Sequence, residues 1–265
     1  MTPIPPFPHD CIAAVEYVGI SPYSYAANNP IVFIDPDGKR LFFVGGANND
    51  QDGWDYITRW GNYMTDAGMK NFVRVNASSG QLGDIGFTAV YRNNSRFDYA
   101  TAQGQGGASV DRGVRARHKS IDAAYQQIKD NIKENELEEG EQFNLAGYSF
   151  GSVLQAQVAL KLADDGTYID NLVLIGSPIS SKSKLYKDLL KNKNIGKVTR
   201  FDIDGDLLSN PKNILEFIQG GKENGPESLG GEGDNGPHFD LARPGNQTDQ
   251  LIQTVIKWLQ QQGVE

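Results

Sequence analysis

The residues with the clearest capacity for chemistry are Ser149, His238 and the aspartates between them, Asp202, Asp204 and Asp206. A serine hydroxyl becomes a useful nucleophile when a base within hydrogen-bond reach takes its proton and a third group fixes that base's tautomer. Ser149 stands in Gly147-Tyr148-Ser149-Phe150-Gly151, with strand-like Gln142-Phe143-Asn144-Leu145-Ala146 before it and a helix-like run after it. Strand, sharp turn and helix in that order make a nucleophile elbow, which strains the serine and raises its hydroxyl above the sheet edge. Glycine on either side lets strand and helix close up where a Cβ would collide. The hydroxyl then lies over the positive end of the helix dipole. A flexible Gly/Ser loop would share the pentapeptide but not both flanks, and Ser149 is the expected nucleophile.

Of the three histidines, only His238 follows Ser149. His9 lies in the leading segment, and His118 opens an amphipathic stretch where a capping or solvent-facing role accounts for it. His238 occupies Asn235-Gly236-Pro237-His238-Phe239-Asp240, just ahead of the last periodic apolar run, and is the expected base. The acid is expected after a strand read over 197–204. Asp202 falls within that strand, Asp204 at its end, and Asp206 past Gly205; Asp206 is the first choice and Asp204 the alternative. For a developing oxyanion, the expected donors are the backbone N–H of Phe150 and one from Gly45-Gly46-Ala47-Asn48, from Gly46 or Ala47. Glycines there let the backbone approach a substrate oxygen; a tight strand-to-helix turn uses them equally well.

Asn48-x-Asp50-x-Asp52-Gly53 copies the first half of a calcium loop, but its twelfth position is Arg59, a cation where a bidentate carboxylate is needed. Helix N-capping by Asp52 explains these acids more simply, and neither metal nor cofactor is expected.

The elements that must position these groups alternate along the chain. Arg40–Val44 reads as a short apolar strand, and Trp54, Ile57, Trp60, Gly61 and Met64 recur at helical spacing. A strand at Asn71–Val75 precedes a stretch of about Ser78 to Gly113 with no clear period, rich in Gly, Asn and aromatics, Phe87, Tyr91, Phe97 and Tyr99 among them. So long an irregular stretch in a compact domain is usually functional or mobile. Ile121, Ala124, Tyr125, Ile128 and Ile132 mark an amphipathic helix leading to the elbow strand. The run from Val153 to Ala163 is apolar on nearly every side, as a helix buried against a sheet must be, and Gly166 stops it. A strand at Ile169–Ile175 ends on Gly176-Ser177-Pro178, a short helix starts near Lys182, and a Gly/Asn/Glu-rich loop carries His238 to a final helix through Leu251, Ile252, Val255, Ile256 and Leu259.

Alternating strands and helices with near-continuous apolar strands imply a mostly parallel central sheet with helices on both faces. With an elbow on a central strand, residues 39–265 resemble the α/β-hydrolase fold, in its lipase and esterase branch. The resemblance rests on element order beyond the elbow, on Gly176-Ser177-Pro178, and on Gly205-Asp206-x-x-Ser209, a pattern lipases often show. It implies the order serine, acid, histidine, met here by Ser149, Asp206 and His238.

Residues 1–38 read differently. Tyr23-Ser24-Tyr25-Ala26-Ala27-Asn28-Asn29-Pro30, followed by Asp35-Pro36-Asp37-Gly38, resembles the end of the core of RHS-repeat proteins, after which a variable toxic domain begins. A leader without fixed structure is the plainer reading. The resemblance implies an RHS remnant at 1–38 and a toxin domain at 39–265, exported by contact-dependent delivery, of type VI for example, through the RHS region. It also implies synthesis in a bacterial cytoplasm and a cognate immunity protein. The first eight residues have no basic n-region or apolar h-region, so export without a signal peptide is expected.

A net charge of −8 over 265 residues argues against a nucleic-acid partner, since phosphate binding needs a basic patch. The best cationic cluster, Arg112, Arg115, Arg117 and Lys119, reads as a solvated helix start. Cys11 is the single cysteine and lies outside the hydrolase-like region. The combined expectation is a serine ester hydrolase of the lipase or phospholipase kind, acting through an acyl-enzyme as a secreted antibacterial effector with transient membrane contact. An esterase, thioesterase, peptidase or amidase for soluble substrates is the alternative on the same scaffold, and a non-catalytic RHS carrier domain is the alternative of another class.

Overall fold

The computed structural model describes residues 39–46, 56–69, 71–75, 86–87, 108–109, 114–116, 118–224 and 236–264. The expectations placed on residues 1–38, on Ala47 to Gly53, and on Trp54, Tyr91, Phe97 and Tyr99 lie outside these.

Five parallel strands form the central sheet: β1 (Lys39–Val44), β2 (Asn71–Arg74), β6 (Gln142–Tyr148), β7 (Ile169–Ile175) and β8 (Ile195–Phe201). Their order is β2-β1-β6-β7-β8. The chain runs outward from β1 to β2, then returns to lay β6 on the other side of β1. Strand order therefore reverses between β1 and β6, and a crevice forms outside the carboxyl ends of strands at such a point. Val44 pairs with Gly147 across it, which sets the Gly45-Gly46 segment beside the elbow. A second, antiparallel sheet of two- and three-residue strands, β3 (Gly86–Phe87), β4 (Ala108–Ser109) and β5 (Val114–Ala116), falls within and just beyond the stretch read as aperiodic.

Alternation along β1 decides which helix covers which face. Phe42 and Val44 pack into one core with α2 (His118–Glu134), α3 (Phe150–Asp164) and α4 (Lys184–Lys191). Leu41 and Phe43 pack into the other with α1 (Tyr56–Asp66) and α6 (Asn246–Gln261). Both faces are covered, so the central strands are mostly apolar, and the buried polar exceptions Asn144 and Asn171 satisfy each other, Asn171 Nδ2 donating to Asn144 Oδ1 at 2.7 Å. The α/β-hydrolase fold read from the sequence is the fold observed.

α3 is buried along nearly its whole length, and that burial fixes the elbow. Each of its large apolar side chains contributes about 1.5–3 kcal/mol by leaving water. Its two buried glutamines keep a hydrogen bond each, Gln155 Nε2 donating to the Phe42 carbonyl at 2.9 Å and Gln157 Nε2 to that of Val153 at 2.8 Å. Gly166, at a φ of 83°, ends the helix, because a left-handed residue is the usual way out of one. At the far end of the sheet, Arg40 binds Glu141 at 3.0 Å and the Asn135 carbonyl at 2.5 Å, tying the exit of α2 to β1.

Two expectations need correction. β8 spans Ile195–Phe201, so Asp202 lies past its end rather than within it, and Asp204 is further out. Asp202 turns to solvent to bind Arg200 at 3.0 Å and Asn210 at 2.8 Å, and Gly205 takes a φ of 77°, so the chain has already left the sheet. The Gly/Asn/Glu-rich stretch ahead of His238, read as loop, contains helix α5 (Ile214–Glu223). Asn213 caps it by accepting the N–H groups of Leu215 and Glu216 at 2.9 and 3.0 Å, while Glu216 reaches back to the Lys212 N–H at 2.7 Å.

Candidate active site

Ser149 is placed by what its neighbours lack. A Cβ on Gly147 would lie 2.4 Å from the Gly151 carbonyl oxygen, and one on Gly151 would lie 2.2 Å from that of Gly45. Neither contact can relax, because each is with backbone. Between these glycines Ser149 takes a φ of 54° and ψ of −127°, a region L-residues rarely occupy. Such strain persists only where surrounding structure over-determines it, and costs roughly 1–3 kcal/mol. Here the Ser149 N–H donates to the Ile175 carbonyl at 2.8 Å, and the Ser149 carbonyl accepts from Ser152 N–H at 3.0 Å and Ser152 Oγ at 2.5 Å. Every polar group of the strained residue is engaged.

Its hydroxyl lies 2.6 Å from His238 Nε2. His238 sits in a single 3-10 turn, Pro237–Phe239, where the proline's fixed φ opens the turn without a missing donor. The imidazole is only 2 % exposed and stacks on Tyr148, with ring centroids 5.9 Å apart and planes inclined by 20°. The Tyr148 hydroxyl donates to the His238 carbonyl. From the other ring nitrogen, Nδ1, to Asp206 Oδ2 the distance is 2.5 Å.

Asp206 is 5 % exposed, whereas Asp202 and Asp204 are exposed to solvent. A tight turn after β8 carries it. Its N–H donates to the Ile203 carbonyl at 3.2 Å, its carbonyl accepts from Ser209 N–H at 3.1 Å, and Ser209 Oγ accepts from Ile203 N–H at 3.1 Å. Asp206 Oδ1 also accepts from Leu208 N–H at 2.9 Å, an Asx turn that fixes the carboxylate's rotation. Asn210, at a φ of 59°, links this turn to the segment after β7: its N–H donates to the Ser177 carbonyl at 2.8 Å and its Oδ1 accepts from Ser181 N–H at 2.8 Å.

The structure thus brings Ser149, His238 and Asp206 into one hydrogen-bonded line and leaves Asp204 outside it. Phe150 opens α3, so its N–H belongs to the first turn, which has no carbonyl one turn earlier to donate to. Gly46 is buried at the end of β1, and Ala47 lies outside the described residues. The chemical capacity of the line is plain: His238, held in one tautomer by Asp206, can take the proton of Ser149.

Sequence reading missed Tyr148, Ser152 and Asn224 as parts of this arrangement. Asn224 ends α5 and touches both Asp206 and the His238 backbone, at 3.4 and 3.2 Å. A signal for α5 existed in Asn213-Ile214-Leu215-Glu216, a cap followed three residues later by glutamate. Gly220 and Gly221 broke the apolar period and hid it.

No protein-family description matches this chain, and no curated protein does. Among solved structures, the chain is similar to a protein of unknown function from Agrobacterium tumefaciens, named as a candidate alpha/beta hydrolase. The identity is 11 % and the TM-score 0.45, over 85 % of this chain and 86 % of that one. It is also similar to the RedJ thioesterase of the prodiginine biosynthetic pathway in Streptomyces coelicolor, at 15 % identity and a TM-score of 0.37, over 84 % and 92 % of the two chains.

Proposed function

We propose that this chain is a serine ester hydrolase that cleaves membrane lipid. The observation that carries the reading is the continuous line from Ser149 Oγ to His238 Nε2 at 2.6 Å and from His238 Nδ1 to Asp206 Oδ2 at 2.5 Å. The Ser149 hydroxyl gives its proton to His238 Nε2 as its oxygen attacks the ester carbonyl carbon. The tetrahedral oxyanion is met by the N–H of Phe150 and by one from Gly46 or Ala47. Collapse expels the alcohol, which takes the proton from His238 and leaves an acyl-serine. Water, deprotonated by His238, then releases the carboxylic acid and regenerates the hydroxyl.

Lipid is favoured as substrate by α5, which follows the acid turn. Leu215 and Ile218 are 73 % and 42 % exposed on it, three residues apart and so on one face. Large apolar side chains presented to water suit a lipid surface, and the far end of the same helix, at Asn224, touches Asp206 and the His238 backbone. The RHS-like Tyr23–Gly38 segment supports delivery as the toxic tip of a contact-dependent system, with a cognate immunity protein guarding the producer.

The test is hydrolysis of a chromogenic ester and of phosphatidylethanolamine–phosphatidylglycerol liposomes by wild type and Ser149→Ala. Cleavage of both, abolished in the variant, is the expected result. Inert liposomes with brisk soluble-ester cleavage would leave an esterase for soluble substrates. Ester cleavage that survives in Ser149→Ala would remove the serine mechanism. Expression of residues 39–265 in a bacterial cytoplasm and, separately, in the periplasm tests the toxic role: growth arrest in neither compartment would sink it.

A further inference from the structure

We infer that Asn224 is a positioning residue that locks the acid of this site to the backbone of its base; only its kinetic consequence rests on the serine hydrolase reading. Asn224 is the C-cap of α5, and its N–H donates to the Gly220 carbonyl at 3.1 Å. Its side chain goes further than capping requires. Nδ2 donates to the Gly220 carbonyl at 2.8 Å and to Asp206 Oδ1 at 3.4 Å, while Oδ1 accepts the backbone N–H of His238 at 3.2 Å. The amide's orientation is fixed by these partners. Turned over, its oxygen would face a carbonyl and a carboxylate, and its NH2 would face a donor.

Three consequences follow for the acid–base pair. Both oxygens of Asp206 are occupied, Oδ1 by Leu208 N–H and Asn224 and Oδ2 by His238, so the carboxylate cannot rotate away from the imidazole. The His238 backbone is held from both ends, its N–H by Asn224 and its carbonyl by the Tyr148 hydroxyl. Finally, the approach of Asn224 depends on a missing side chain, since a Cβ on Gly236 would lie 2.2 Å from Asn224 Oδ1. None of the hydrogen bonds of the Asn224 side chain is to Ser149. Asn224 therefore acts through Asp206 and His238 rather than on the reacting atoms.

The chemistry at this position is specific to an amide. A carboxylate would keep an acceptor for the His238 N–H but set a second negative charge against Asp206. Alanine would leave Asp206 Oδ1 with one donor and the His238 N–H with none.

The experiment follows the downfield proton of the His238 Nδ1–H to Asp206 hydrogen bond by NMR, assigned by its absence from His238→Gln. It is paired with the rate at which a fluorophosphonate labels Ser149 and with kcat and KM on a soluble chromogenic ester. Asn224→Ala should broaden or lose the resonance through faster exchange with water. Labelling and kcat should fall by about 10- to 100-fold, the size of effect that an ångström of misplacement produces, with KM within about twofold. Asn224→Asp should fall at least as far. Gly236→Ala pushes the amide out from the opposite side and should reproduce the loss, so the contact is still read if Asn224→Ala does not fold. Variants that keep both the resonance and labelling within about twofold of wild type, while losing only thermal stability, would make Asn224 a helix cap and overturn the inference. A wild type that resists labelling would instead sink the hydrolase reading, and the resonance would still decide the positioning role.

Discussion

Tyr148 and His238 are joined twice: their rings stack at 5.9 Å, and the Tyr148 hydroxyl donates to the His238 carbonyl. The residue before Ser149 therefore holds His238, which couples the elbow to a segment 90 residues further on. Tyr148→Phe keeps the ring and removes the donor. It should cost about 1–3 kcal/mol, because the contact is buried and a carbonyl is left without that donor. Ester turnover should fall by about tenfold as His238 loosens, whereas unchanged kcat and an unchanged Tm would show that the hydroxyl holds nothing.

The backbone of Ser149 yields a prediction separable from its chemistry. At a φ of 54° and ψ of −127°, glycine is far more at ease than any residue with a Cβ. Ser149→Gly should thus be more stable than Ser149→Ala by about 1–3 kcal/mol. Both should lose ester cleavage by at least about a thousandfold. Thermal unfolding of the two variants side by side gives the comparison, and an alanine variant as stable as the glycine one would mean the elbow carries no strain.

For the acid, the geometry separates three aspartates within five residues. Asp206→Asn should reduce turnover by about 10⁴-fold, since an amide in that place favours the wrong imidazole tautomer. Asp204→Asn should remain within about twofold of wild type, because Asp204 is exposed and outside the line from Ser149. Asp202→Asn weakens contacts to Arg200 and Asn210 and should lower stability by about 1 kcal/mol without a comparable kinetic loss. Steady-state kinetics of the three variants decide it, and a crippled Asp204→Asn would displace Asp206 as the acid.

The elbow was legible because every level of the sequence agreed there. Apolar strand, paired glycines and an all-round apolar helix from Val153 to Ala163 admit one local structure, and burial of that helix enforces it. The placement of His238 was legible by elimination, since it alone of the histidines follows Ser149. The end of β8 was not. Arg200-Phe201-Asp202-Ile203-Asp204 alternates polar and apolar past Phe201, whereas the ladder to β7 stops at the Ile175–Phe201 pair and Asp202 turns to Arg200 and Asn210. α5 was hidden for a different reason. Gly220 is required where its Cβ would meet Leu208 N at 2.4 Å, so close packing against the acid turn demanded the residue that made the segment look like loop. Asn224 could not be recognised before α5 was.

The last prediction concerns α5 and lipid. With a net charge of −8, long-range attraction to an anionic bilayer should be weak, so on the lipid reading attachment would rest on apolar side chains at short range. Leu215 and Ile218 are the candidates: they are exposed, while Phe217 on the same helix is buried in the core and holds α5 down. Burying a leucine or isoleucine contributes about 1.5–3 kcal/mol when complete. Partial insertion of the pair therefore corresponds to about 10- to 100-fold in hydrolysis of liposomal lipid. The double variant Leu215→Asp with Ile218→Asp should lose that factor on phosphatidylethanolamine–phosphatidylglycerol liposomes. It should cleave a short soluble ester within about twofold of wild type, since neither residue contacts Ser149, His238 or Asp206 through any hydrogen bond in the site. Equal losses on both substrates would mean that the substitutions disturb the acid turn rather than a lipid contact. Full liposome activity in the double variant would take α5 out of lipid recognition and leave the exposed pair without a role at the membrane.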